Sequence, residues 1–469
     1  MKKILGFIAA GCLLLTSCDD KLDIKPLGKT TLDNVTDIET LLNQRWLVSE
    51  PSDLLTVCDA TYKRMTQLST TMSNKNEIDY ALINYDETIN RADLTPTDSK
   101  YASMYQYINY ANVVISKTPG VSGDESQKPR IIAEAKILRA WFHFLLVNIY
   151  ARQYDEATAA HLGGIPYVDN TNVQEQKIKL TISEVYNHIL QDCSDEVISC
   201  LTQRNVSDPC RFGADFGYGV RARVLFQMKR YEEALKYANL AMKINSEIED
   251  RSSVASSGVW ELWESSPNNY LHIASDNSNI GEFGMIIVPP STFAKYEDGD
   301  YVKDFVAPPY NWMSEYGTMY GYEGCMFSYI WDVHFNSWGL RTEQMCYIAA
   351  ESMIRNGQYR DGLAMIDRVR INRIHPDYYT PLADNADSAM TEGEAMRMLR
   401  DAKLIEMIPS FEPFFDAKRW NSEQKYAADY TRDLGPDYGK RTITPDSPLW
   451  VFPFPANATN YNSSLTQNY

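Results

Sequence analysis

The sequence is short of histidine, and its six are scattered: His143, His161, His188, His272, His334 and His375. None sits in a His-Glu-x-x-His helix, so that hydrolytic zinc centre is excluded. No Gly-rich phosphate loop and no Gly-x-Ser-x-Gly elbow occurs, which removes the common nucleotide and serine-hydrolase signatures. The eight cysteines form no CxxC pair and no Cys/His cluster, so structural zinc is not expected. Positive charge is also in deficit. At a net charge of −17 the chain repels polyanions, and nucleic acid is a poor partner for it. Long apolar runs are missing too, so no stretch reads as a membrane-spanning helix.

What remains is a globular composition, 44% hydrophobic and 23% charged, with Tyr the dominant aromatic at 31 residues. No pair of carboxylates stands out as a glycosidase pair. The reading is therefore of a protein without catalytic residues, cofactor or bound metal. His143 lies among apolar residues of a helix and reads as a satisfied core histidine. Cys193 and Cys200, on one expected helix, lie about 10 Å apart, too far to bridge. Cys200–Cys210 is the one disulfide candidate, and the remaining thiols read as free and buried.

Residues 1–17 read as a lipoprotein signal peptide. Lys2 and Lys3 precede the apolar stretch Ile4–Leu15, which is too short to span a bilayer. Leu15-Thr16-Ser17-Cys18 is a lipoprotein cleavage box, in which small residues fit the peptidase and the Cys18 thiol accepts the lipid. Residues 18–35 read as a lipidated tether, and 36–469 as one helical domain. Within it, Asp37–Trp46 reads as a short amphipathic helix, Pro51–Lys100 as polar and irregular, and Tyr101–Lys117 as a helix.

The organising stretch is Arg130–Tyr150. Ile131, Ala135, Leu138, Phe142, Leu145, Leu146 and Ile149 recur at helical spacing, and Trp141 and Phe144 widen the apolar face. Such a helix needs covering on more than one side. Gly163-Gly164-Ile165-Pro166 then ends helical structure and turns the chain. Capping boxes at Thr181-Ile182-Ser183-Glu184 and Thr391-Glu392-Gly393-Glu394 open further helices. The first is expected to run to Leu201. The second carries Ala395, Met398, Leu399, Ala402 and Ile405 inward and continues toward Trp420.

Two segments match in register. Ala222 is followed twelve residues later by Ala234 with Tyr231 between, and Ala350 by Gly362 with Tyr359 between. Small residues bring paired helices close and the Tyr fills the turn, as in tetratricopeptide units. Between them, 249–340 lacks periodicity but holds five of the nine tryptophans. An irregular insertion in a helical solenoid points to function. The apolar tail Leu449–Pro455 is expected to pack back on the body.

Several segments together resemble the SusD/RagB family of outer-membrane nutrient-binding lipoproteins from Bacteroidetes. They are Cys18-Asp19-Asp20-Lys21-Leu22, Tyr105–Asn112, Ala133-Glu134-Ala135-Lys136-Ile137-Leu138-Arg139-Ala140-Trp141 with Gly164-Ile165-Pro166, and Tyr296-Glu297-Asp298-Gly299-Asp300. Arg341–Met345 before Ala350-Glu351, Phe415–Trp420 and the Asn468-Tyr469 finish complete the set. The resemblance implies a mainly α fold, an α-α superhelix of about four tetratricopeptide-like pairs with long irregular insertions. It also implies a cell-surface protein in the outer membrane. Its partner would be a TonB-dependent transporter of the SusC type, and its ligand a glycan or, in RagB-like members, a peptide. A helical-repeat adaptor binding only protein is the competing reading. Sugar rings stack on aromatic faces while polar side chains bond their hydroxyls. The irregular segments near 51–100 and 249–340 supply both, and the expected ligand residues are Asp79, Tyr80, Trp312, Tyr320 and Tyr322.

Overall fold

The computed structural model describes residues 32–60, 62–63, 68–172, 174–204, 210–257, 265–275, 286–303, 325–326, 335–408 and 410–469. Helix α1 spans Val35–Glu39, starting where Asn34 accepts from the Asp37 amide. It is shorter than the expected Asp37–Trp46 helix, because Trp46 already begins strand β1 (Trp46–Val48). Pro51–Lys100 is less irregular than its polarity suggested. It holds α2 (Ser52–Val57), strand β2 (Tyr62–Lys63), α3 (Leu68–Ser73) and α4 (Ile78–Asn84). Helix α5 (Ser99–Lys117) is capped by Asp98, which accepts from the Lys100 and Tyr101 amides. Helix α6 (Lys128–Tyr150) is the organising stretch.

From Ala133 onward α6 exposes almost nothing, since α5, α7 and α9 pack on different sides of it. His143 is fully buried. Its Nδ1 donates to the Arg139 carbonyl at 2.8 Å, and its Nε2 accepts from the Val168 amide at 3.0 Å. Burial pushes the imidazole down to about 3, so the ring stays neutral and both nitrogens are satisfied. It is the core histidine expected, and it ties α6 to the chain just past Pro166.

The expected sharp corner there is instead strand β3 (Gly163–Pro166), paired antiparallel with β4 (Lys179–Thr181). Gly164 is needed for closeness: a Cβ there would meet backbone atoms of Leu180, Thr181 and Ile182 at 3.1 Å.

Helix α7 (Ile182–Asp192) carries the reciprocal Thr181–Glu184 capping box. It ends at Asp192, nine residues short of the expected end at Leu201, because Ser194 caps a separate turn, α8 (Asp195–Ile198). Cys58, Cys193, Cys200, Cys210 and Cys346 are all free thiols, so the Cys200–Cys210 bridge does not form.

The repeat-like segments form hairpins: α9 (Ala214–Gln227) with α10 (Tyr231–Ile244), and α13 (Thr342–Arg355) with α14 (Tyr359–Arg370). Between them lie α11 (Ser252–Ser257), strands β5 (Asn269–Leu271), β6 (Ile273–Ser275) and β7 (Ile286–Val288), α12 (Pro290–Phe293), and strands β8 (Cys325–Met326) and β9 (Leu340–Arg341). Ala222, Ala234 and Ala350 are fully buried. A Cβ on Gly362 would lie 2.6 Å from Ile354 Cγ1 and 2.9 Å from the Ala350 carbonyl oxygen. The small residues are there because the helix axes approach closely.

The last pair is α15 (Glu392–Met407), opened by the Thr391–Glu394 box, and α16 (Glu412–Asn421). They are separate helices rather than one run, and the inward face of α15 is rotated from the expected one. Ala395, Met396, Leu399, Lys403, Glu406 and Met407 are buried, whereas Met398, Ala402 and Ile405 are half-buried. Lys403 and Glu406 turn inward because α16 and the insertion supply ion partners. A hairpin, β10 (Tyr430–Asp433) with β11 (Lys440–Ile443), follows. The apolar tail does pack back: the Phe452 amide donates to the Ile149 carbonyl at 3.0 Å, and Arg91 holds Val451 by its carbonyl at 2.7 Å. The architecture is mainly α, helix pairs in succession with irregular segments on them. No helix among the described residues is long and apolar enough to cross a membrane.

Candidate functional site

Backbone pairing brings the two irregular segments together. Strand β2, from the first, pairs antiparallel with β7, from the second, and β7 pairs with β8. Strand β1 pairs in parallel with β6, in register Trp46 to Ile273 and Val48 to Ser275. Segments more than two hundred residues apart in sequence thus share two small sheets.

The base of the second segment is fixed by charge. Glu249, Glu343 and Glu406 bring carboxylate oxygens within 4.8 Å of one another. Arg373 reaches Glu406 at 2.8 Å and Glu343 at 3.0 Å, Arg251 reaches Glu249 at 3.1 Å, and Arg341 reaches Glu406 at 3.1 Å. Burial raises the Glu406 carboxyl, but the three guanidiniums outweigh it and hold it well below the usual range. With three cations already on three carboxylates, the cluster is an ion network rather than a metal site. The Tyr296–Asp300 motif docks beside it. Glu297 accepts from Nε and Nη2 of Arg370, at 2.7 and 2.6 Å. Gly299 has φ +79°, where a side chain would strike Tyr378.

Asp79 and Tyr80 lie in the first turn of α4, both half-buried. The Lys75 ammonium sits 5.7 Å from the Tyr80 ring centre. Trp312, Tyr320 and Tyr322 lie outside the described residues, as does Cys18. Trp338, one of the aromatics of the second segment, serves the scaffold. It is fully buried, donates to the Ser49 carbonyl at 3.0 Å, and stacks on Phe411.

The sequence reading missed a cavity of about 450 Å³ between α15, α16 and both irregular segments. Cys58, at the end of α2, and Lys295, just after α12, reach it from those segments. Met396, Leu404, Met407 and Pro413 give apolar wall, and Trp420, Tyr426 and Tyr430 give aromatic wall. The Arg400 guanidinium carbon sits over Trp420, 4.4 Å from its ring centre. The signal for it was present: Arg397, Arg400, Lys403 and Leu404 share a helical face, next in space to the Phe415–Trp420 motif.

Residues 19–212 match the family model described as "Starch-binding associating with outer membrane". A SusD superfamily protein from Bacteroides thetaiotaomicron superposes with a TM-score of 0.70 at 14% identity, over 93% of this chain and 100% of that one. The chain has the fold of the SusD superfamily structures. A SusD-like carbohydrate binding protein from Bacteroides vulgatus gives a TM-score of 0.67 at 15% identity, covering 92% of this SusD-like chain and 97% of its own. A putative sugar binding protein from the same species gives 0.66 at 14%, covering 94% and 99%. At such identities the likeness is one of fold, and it spans the SusD-like scaffold from the first helices to the tail. No curated protein sequence matches the chain.

Proposed function

We propose that the chain is a non-catalytic, lipid-anchored protein of the outer-membrane surface that binds a glycan and hands it to a TonB-dependent transporter of the SusC type. The observation that carries the binding role is the shared β2–β7–β8 sheet. It draws two polar, aromatic-rich segments into one region on a rigid helical scaffold, the arrangement that recognition of a polar ligand requires. The starch-binding description of the family model and the sugar-binding relatives support a glycan as that ligand. Cys18 in its cleavage box supports the lipid anchor.

The test is calorimetry of the purified full chain against a panel of neutral and acidic oligosaccharides, with reducing-end release monitored in parallel. Saturable binding without release is expected. Turnover of any panel member overturns the non-catalytic role, and silence across the panel overturns glycan binding. Mild detergent extraction from the native host should recover a large β-barrel with the chain. Its absence counts against the transporter. Cys18→Ala should move the chain from the membrane to the soluble fraction.

A further inference from the structure

The lining of the cavity between α15 and α16 is cationic in a protein that is not. Lys295, Arg397, Arg400, Lys403 and Lys425 face it, against Asp401 and Asp416. Most of these cations are already used. Lys403 sits 2.6 Å from Asp416 and 3.2 Å from Glu412. Lys295 pairs with Asp401, Lys425 lies 2.5 Å from Glu392, and Arg397 stands 3.7 Å from Asp401. Arg400 is different. Among the described residues it has no carboxylate within ion-pair distance, although it is half-buried.

Its position is nonetheless fixed. The Trp420 ring beneath it is 7% exposed and anchored, its indole donating to Glu351 at 3.1 Å. Glu351 in turn is gripped by Arg419. The Arg400 guanidinium also bonds the Tyr430 hydroxyl on the cavity wall, and its five N–H groups, all in its own plane, leave donors for a two-pronged bond to a carboxylate. At about 450 Å³ the cavity falls within the ~300–1,000 Å³ of small-ligand pockets. Its aromatic walls suit the C–H faces of a sugar ring.

We propose that this cavity binds a uronic acid unit of an acidic glycan, with Arg400 as the fork for its carboxylate. This rests on the glycan-binding reading and names the class of glycan. The carboxylate supplies the anionic partner Arg400 lacks, and the cationic lining draws in a charge that the rest of the surface repels.

The experiment is calorimetry of the full chain with digalacturonate, its neutral counterpart galactobiose and a sulfated galactobiose, repeated with Arg400→Gln and Arg400→Lys. Digalacturonate should bind, and Arg400→Gln should weaken it about 10- to 100-fold. Arg400→Lys, which keeps the charge without the planar fork, should recover only part of the loss. Unchanged melting temperatures identify folded variants, and Arg400→Lys carries the test if Arg400→Gln unfolds. Preference for the sulfated sugar moves the assignment from carboxylate to sulfate ester and overturns the uronate. Galactobiose binding as tightly as digalacturonate, or digalacturonate binding untouched by both substitutions, overturns the inference while leaving glycan binding standing. If no sugar binds at all, the glycan-binding reading fails, and this inference with it.

Discussion

Arg419 grips Glu351 with both terminal nitrogens, Nη1 to Oε1 at 2.5 Å and Nη2 to Oε2 at 2.8 Å, and neither side chain meets solvent. The bond joins α16 to α13. Burial raises the Glu351 carboxyl, but Arg419 and Arg355 outweigh it and hold it far below the usual carboxylate range. The depressed value means the carboxylate adds stability above about pH 4.5, which is lost only as pH falls through that low value. Arg419→Met leaves the buried Glu351 with Arg355 alone and takes a cation from Asp416, and should cost about 3–5 kcal/mol in urea unfolding. Arg419→Met with Glu351→Leu should recover much of the loss. A single variant as stable as the parent would contradict this account.

Lys418, next in sequence, makes a prediction in pH. Its Nζ donates to the carbonyls of Asn148 and Ala151, at 2.5 and 2.7 Å, where α6 ends. Burial and the nearby Arg152 charge push the ammonium down to about 7. A neutral amine has two hydrogens for these two acceptors. The unfolded lysine titrates near 10.4, so between about pH 7 and 10 the unfolded chain binds the extra proton. The contribution of Lys418 to stability should therefore grow as pH rises through that window. Urea midpoints at pH 6.5, 8 and 9.5 should diverge between the parent and Lys418→Met, and a constant gap would refute the buried neutral amine.

Two glycines separate packing from backbone freedom. Gly362→Ala drives a methyl group against Ile354 and the Ala350 carbonyl, and should destabilise by about 1–3 kcal/mol. Gly393, in the first turn of α15, has nothing nearer than Thr391 Oγ1 at 3.9 Å. Gly393→Ala should stabilise by about 0.4–1 kcal/mol, because it restricts only the unfolded chain. Paired thermal melts check the opposite signs.

On the ligand side, Tyr80→Ala, Trp312→Ala and Tyr320→Ala should weaken glycan affinity while shifting the melting temperature little. Asp79→Asn should do the same by losing a charged hydroxyl acceptor. A large fall in melting temperature with unchanged affinity would assign these residues to the scaffold instead.

Much of the fold was legible because local chemistry and packing agree. The Thr181 and Thr391 boxes form as written, and Ala350 and Gly362 are small where two helices meet. The family-like motifs prove to be largely structural. Arg139 forks onto Asp192, Glu134 onto Arg211, and Arg419 onto Glu351. What stayed hidden depends on distant partners. Trp46 becomes a strand because Ile273 lies beside it, and Lys403 turns inward because Asp416 awaits it. Neither pairing leaves a periodic trace. The cavity was missed for the same reason, since Cys58, Lys295 and Arg400 converge only in space.

The ion network at Glu249, Glu343 and Arg373 fixes where the long segment between the α9–α10 and α13–α14 hairpins leaves the scaffold and where it returns. The Glu249 amide donates to the Glu343 carboxylate at 3.1 Å, so departure and return meet at one point. Provided the buried Trp338 and the strand Ile273–Ser275 are kept, what lies between can lengthen or shorten without altering the distance the scaffold must bridge. The segment is thus an exchangeable cassette. Transplanting 276–334 from a relative, with the ionic residues and the core strands on either side kept, should carry over that relative's ligand preference while the helix pairs remain in place.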